Sequence, residues 1–223
     1  MSTRPLASPF RDAVASYDQA IAIRRRLVEE EGRVELADDL AAALMNKGVA
    51  LASQGRLGDA VVSSDQAIGV LRRLVEEEGR VELANELAKA FVNKATTLGK
   101  QEAWDEAFAN YEAAIFLNAG CLRAGMTHLL GDALKMIRIR LMTYLDLRRW
   151  EDGAADVFRI LELAVPELQS GSPSESVVQE LGQMLDLIRC LPDDGRASLL
   201  DALGPWAGVV RGWLSPAEEE SGP

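Results

Sequence analysis

The chain carries one histidine, His128, and two cysteines, Cys121 and Cys190. A thiolate nucleophile needs a base within hydrogen-bond reach. Cys121 lies seven residues before His128, so the two share a helical face with Cα atoms about 10 Å apart at 1.5 Å rise per residue. That separation is too long for a thiolate–imidazole pair. The sequence contains no HExxH, CxxC, glycine-rich phosphate loop or GxSxG segment, which are the common short signatures of metal, redox, nucleotide and acyl-transfer chemistry. A single histidine also argues against a zinc site of the usual kinds. The expectation is a non-enzymatic chain with no cofactor and no metal.

Recognition is the chemistry that remains. The eleven residues LVEEEGRVELA occur at Leu27–Ala37 and again, all identical, at Leu74–Ala84. Each copy places a glutamate triplet at a helix C-terminus, where the dipole is already negative; this costs a few tenths of a kcal/mol. Arginines one turn earlier offset it through the expected pairs Arg25–Glu29, Arg26–Glu30, Arg72–Glu76 and Arg73–Glu77, at about 0.2–0.5 kcal/mol each. The triplets are either a docking strip or a solvated, self-neutralising face, and the second is the simpler reading. Asn46-Lys47 and Asn93-Lys94 recur at one repeat position and are expected to bridge helices. Trp206 and Trp213 are either partner anchors or a buried cap.

Composition narrows the classes. The chain has 223 residues, 48% hydrophobic and 26% charged, with net charge −11. That composition is ordinary for a globular protein. Acidic residues are interleaved with basic ones, so the basic stripe that phosphate binding requires is missing and nucleic acid is not expected as a partner. No apolar run approaches the length of a membrane span, and MSTRPLASPF has no apolar signal core. Membrane association is therefore not expected. Free thiols and a cytoplasmic location follow as expectations.

The elements that would position these residues read as repeats. Two copies of one segment 47 residues apart imply stacked helical units, each burying its apolar face against the next. Helices are expected at Phe10–Gly32, Val34–Gln54, Leu57–Glu78 and Val81–Lys100, with a fifth starting at Trp104. Gly32 and Gly55 would end helices in the left-handed conformation. Equivalent positions agree: Phe10, Leu57 and Trp104 open helices; Ala13, Ala60 and Ala107 are small; Asp18, Asp65 and Glu112 are acidic; Ala20, Ala67 and Ala114 are alanine. At an offset of 46, Trp150 and Gly153 continue the series in a divergent copy. The expected organisation is an irregular stretch 1–9, a repeat array 10–168, a loop 169–176, capping helices 177–214 and a disordered acidic stretch 215–223. Ser176 is the expected N-cap of a helix Val177–Leu191. Pro192–Gly195 reads as a turn, and Pro205 restarts a last helix with Trp206, Val209, Val210 and Trp213 on one face.

The repeats resemble the tetratricopeptide family. One copy reads Leu44, Gly48, Leu51, Gly55, Ala60, Ser64, Ala67; the next reads Phe91, Ala95, Leu98, Trp104, Ala107, Tyr111, Ala114; the divergent copy reads Ile137, Leu141, Tyr144, Trp150, Gly153, Val157, Ile160. The resemblance covers roughly Phe10–Leu163. It departs in length: the family repeat is about 34 residues, and this one is 47, of a long-helix kind found among bacterial tetratricopeptide-like proteins. It implies an all-α, right-handed α-solenoid of antiparallel helix pairs, with about three to four repeats and a C-terminal capping pair. It also implies an interaction scaffold that binds a peptide or protein in a groove; the alternative is a regulatory sensor for a small ligand or signalling peptide. By the same resemblance the groove is lined by Met45, Val49, Lys89, Val92, Thr96, Lys100, Lys135, Arg138 and Met142. The family's carboxylate clamp is not expected, because Met45, Val49, Val92 and Thr96 occupy its positions and only Arg138 suits an anion. A peptide of mixed acidic and apolar character fits better.

The first helix lacks a preceding partner in this scheme. Its apolar residues Phe10, Tyr17 and Ile21 then need cover from 1–9 or from another chain, which leads to an expected homo-oligomer through the N-terminal end.

Overall fold

A computed structural model describes residues 9–215, and side chains from residue 13 onward. The expectations for residues 1–8, for the Phe10 side chain and for 216–223 lie outside the described residues. The described chain is all-helical. It forms two compact units, Met1–Gly125 and Met126–Pro223, so the division falls within the stretch expected as one array.

In the first unit, α1 (Pro9–Glu29), α2 (Ala37–Ser53), α3 (Leu57–Arg72), α4 (Ala84–Lys100) and α5 (Trp104–Arg123) each pack on the next. Three-residue turns close the α2–α3 and α4–α5 hairpins and reverse the chain. The α2 helix also touches α4, as stacking of successive hairpins requires. Small residues set the closeness of these contacts: Ala60, Ala67, Ala107 and Ala114 are fully buried. A Cβ on Gly48 would lie 3.3 Å from both Ala60 O and Ser64 Oγ, so α2 and α3 meet where only a hydrogen fits comfortably. Leu44, Leu51, Leu71, Leu74 and Leu87 fill the space between hairpins.

The second unit contains α6 (Leu130–Asp146), α7 (Trp150–Gln169), α8 (Glu175–Arg189), α9 (Asp193–Ala202) and α10 (Ala207–Leu214). Here α6 packs on α7 and α8, α7 on α9, and α10 on α8 and α9. Its core is Leu134, Ile137, Leu141, Val157, Ile160, Met184, Ile188 and Val210. Gly195 gives α9 its approach to α7: a Cβ there would fall 2.8 Å from the Trp150 ring.

Several local expectations change. The Val34–Gln54 and Val81–Lys100 segments each begin with a 3-10 turn, Val34–Leu36 and Val81–Leu83, before the α-helix proper. The end of α3 widens into a π-type turn, Arg73–Glu77. That turn shifts the charge pairing by one residue. Arg25–Glu29 and Arg72–Glu76 form as expected, each at 3.7 Å, but Arg26 pairs with Glu31 and Arg73 with Glu78, each at 3.4 Å. The backbone explains it, since Glu31 N–H bonds Arg26 O and Glu78 N–H bonds Arg73 O, five residues back. Ser174, not Ser176, occupies the N-cap position of α8; Ser176 lies inside the helix, 3.3 Å from Ser174 Oγ. Asp193 and Asp194 start α9 instead of forming a free turn, with acidic side chains in the positive first turn of the helix. Pro205 does sit at the restart, in a 3-10 turn Gly204–Trp206. Val209 and Val210 do not share a face: Val210 is buried and Val209 is exposed.

No described helix is long and apolar enough to cross a membrane.

Candidate interaction surface

The repeats place the recognition candidates by fixing their helices. Lys47 Nζ on α2 reaches Asp18 on α1 at 2.7 Å, and Lys94 Nζ on α4 reaches Asp65 on α3 at the same 2.7 Å. Two ion pairs of equal length, one repeat apart, hold each helix to its predecessor. The lysines of the two Asn-Lys positions therefore bridge helices. Arg80 adds a link between repeats through Asp38, 42 residues away, at 3.3 Å.

In the first unit the expected groove residues divide into three groups. Val49 is 51% exposed, and Thr96 and Lys100 are also exposed. Met45 and Lys89 are half-buried: Met45 packs against two core clusters, and Lys89 Nζ donates to Glu86 at 3.0 Å. Val92, only 7% exposed, belongs to the core and cannot line a surface. Tyr111 on α5 stands where the previous copy has Ser64, and its hydroxyl lies 3.3 Å from Thr96 Oγ1, one turn from Val92. Thr96 also donates to Val92 O at 2.9 Å. What remains accessible is a stripe on two touching helices, α2 and α4: an apolar part at Val49, with Met45 one turn earlier, and a basic part at Lys100, with Lys89 three turns earlier on α4.

In the second unit Lys135 is exposed and Met142 is 41% exposed. Arg138 is not a free cation. Its Nε donates to Glu180 Oε2 on α8 at 2.6 Å, with both side chains largely buried. This corrects its expected role as an anion-binding end of the groove: its charge is already spent within the fold. Met142 instead borders a cleft of about 290 Å3 with Leu145, Trp150, Cys190 and Leu191.

Of the residues expected to mediate self-association, Tyr17 and Ile21 both pack against α2. Ile21 is buried against Leu40, Ala43 and Leu44 of α2, and Tyr17 packs beside both it and the Val14–Leu51 cluster.

Cys121 is buried in α5, and burial pushes its thiol pKa up, away from the reactive thiolate. His128 is exposed in a 3-10 turn. Among the described residues no group of three or more His, Cys, Asp and Glu side chains is placed to hold a metal ion.

Two features were missed from the sequence. Phe116 on α5 is 71% exposed; its flanking apolar residues Ile115 and Leu117 concealed it within a hydrophobic run. Val34 and Val81 are exposed at matching places in the duplicated segment, and the identity of the two copies was the available signal. The tryptophan expectation splits: Trp206 stacks edge-on against Phe158 with centroids 6.4 Å apart, while Trp213 is exposed.

No family model matches the chain, and no curated protein matches it.

Proposed function

We propose that this chain is a non-enzymatic, cytoplasmic interaction scaffold of tetratricopeptide-like repeats, which holds a peptide or protein partner on the exposed stripe of α2 and α4. The observation that carries the reading is Val49. It is an apolar residue 51% exposed on a helix whose other faces are closed by α1, α3 and α4. Its repeat equivalent, Thr96, is likewise exposed, and Lys100 lies one turn further along without an ion pair among the described residues. Apolar contact at Val49 and Met45 combined with cationic contact at Lys100 selects a partner segment with apolar and acidic side chains. Methionine suits such a surface because its flexible thioether adapts to different shapes.

The test is a pull-down from the source cell's lysate with the intact chain, with Val49→Glu, with Lys100→Glu, and with Val62→Glu as a control. Val62 is comparably exposed, at 55%, but lies on α3. A partner retained by the native chain and the control, and lost by both stripe variants, supports the reading. A partner that all four chains retain moves the interface elsewhere.

A further inference from the structure

Three arginines line one cleft in the second unit. Arg189 at the end of α8, Arg196 on α9 and Arg211 on α10 surround a space of about 470 Å3 together with Leu200, Leu214 and Ser215. Like charges gathered at one concavity repel one another, and on a chain of net charge −11 they stand against the overall sign. Each makes hydrogen bonds within the fold. Arg189 donates to Asp186 at 2.9 Å and to Trp213 O at 3.0 Å. Arg196 donates to Arg189 O at 3.3 Å and to Asp193. Arg211 donates to Asp201 at 3.3 Å. A guanidinium has five N–H donors. Arg189 and Arg196 thus commit two each and Arg211 one, so most N–H donors of the three guanidiniums have no hydrogen bond among the described residues. The three aspartates do not line the cleft, and all three are exposed. Exposed pairs of this kind are weakly held in water.

Planar guanidinium forks match carboxylates, and Leu200 and Leu214 add an apolar wall. The chain itself supplies the matching group. Ser215 is a lining residue, and Glu218, Glu219 and Glu220 begin three residues later. Three extended residues span about 10 Å, so the carboxylates reach the cleft with almost no loop to close. Tethering at that distance raises their effective concentration to the millimolar range or above.

We propose that the Arg189–Arg196–Arg211 cleft is a carboxylate-binding site occupied by the chain's own Glu218–Glu220 segment. The segment then acts as a competitor in cis for any acidic peptide at this cleft. The inference is independent of the α2–α4 stripe, which lies in the other unit.

The test uses full-length chains and a fluorescein-labelled synthetic peptide with the sequence of residues 215–223. Fluorescence anisotropy compares the native chain with one carrying Glu218→Gln, Glu219→Gln and Glu220→Gln. The glutamine chain is expected to bind the probe at least tenfold more tightly, because its own segment no longer competes. Adding Arg196→Gln and Arg211→Gln to that chain is expected to weaken binding at least tenfold. Arg211→Gln alone, which removes one hydrogen bond to an exposed aspartate, serves if the double change disturbs folding, and it is expected to weaken binding severalfold. Equal binding by the native and glutamine chains overturns the proposal. So does no binding by either, or binding that survives the arginine substitutions.

Discussion

Each hairpin of the repeat turns at one residue, and the three copies solve that turn with different amino acids. Gly55, Glu102 and Arg148 hold equivalent positions with φ of 75°, 61° and 55°. The hydrogen bond that closes the turn is the same each time: Arg56 N–H to Leu51 O and Ala103 N–H to Leu98 O at 3.0 Å, and Arg149 N–H to Tyr144 O at 2.9 Å. Left-handed backbone crowds the Cβ of an L-residue against a carbonyl and costs roughly 1–2 kcal/mol; glycine escapes this at the expense of a more mobile unfolded chain. The first copy is relaxed and the other two are strained. Glu102→Gly and Arg148→Gly should each stabilise the protein by about 0.5–1 kcal/mol, raising Tm by about 1–4 °C in calorimetry. A fall in Tm for both would mean that the Glu102 and Arg148 side chains contribute more than the strain removes.

At the scale of elements, α6 and α7 are joined by a charge pair inside the second unit. Arg140 and Asp156 are 2% and 1% exposed; Arg140 Nε donates to Asp156 Oδ2 at 2.9 Å, and a second guanidinium nitrogen donates to Oδ1. Tyr144 lies between two cations, with Arg140 5.7 Å and Arg149 4.9 Å from its ring centroid. Removing one partner of a buried pair leaves the other charge dehydrated and uncompensated. Asp156→Asn should therefore cost about 3–5 kcal/mol, whereas replacing both by apolar residues (Arg140→Met with Asp156→Leu) should cost far less. Urea unfolding followed by circular dichroism measures both. A single-variant cost below about 1 kcal/mol would show that water reaches the pair.

This pair also marks where the sequence stops being legible. At an offset of 46, Arg140 occupies the position of Lys94, and both Lys94 and Lys47 reach back to the preceding helix, to Asp65 and Asp18. Arg140 reaches forward to Asp156 instead, and no spacing rule signals that reversal. The helix starts at Leu57, Trp104 and Trp150 were readable because a bulky residue followed by a buried small one (Ala60, Ala107, Gly153) repeats at fixed intervals. The π-type turn after α3 was not readable: it depends on one backbone hydrogen bond slipping by one residue, which leaves hydrophobic periodicity unchanged. Of the expected groove residues, Val49, Thr96, Lys100, Lys135 and Met142 are exposed. Val92 is buried and Arg138 is tied to Glu180 on α8, and burial and tertiary pairing of this kind depend on neighbours that the repeat register does not encode.

For the molecule as a whole, pH sets two opposing trends. Net charge is −11 at pH 7 and the pI is about 4.7, so acidification towards the pI relaxes self-repulsion and favours the folded state. Particular carboxylates work the other way. Glu35 is held below its ordinary 4.5 by the Arg33 guanidinium. Glu82 is lowered by its own backbone N–H and then by Arg80. Glu167 is lowered by the Ser174 backbone N–H, 2.8 Å from its carboxylate, and then by the Ser174 side chain. A carboxylate whose folded pKa is depressed contributes stability that is fully present above its unfolded pKa, near 4.5, and is lost as pH falls through the folded value. Stability should thus be greatest between about pH 5 and 7 and decline below about pH 4.5. All three side chains are exposed or half-buried, so each contribution is small, and the triple substitution Glu35→Gln, Glu82→Gln, Glu167→Gln is the informative variant. Its urea midpoint at pH 7 should fall slightly, and its acid limb between pH 5 and 3 should be shallower than that of the native chain. An unchanged acid limb would mean that these pairings do not persist in solution and that acid unfolding is driven by other groups.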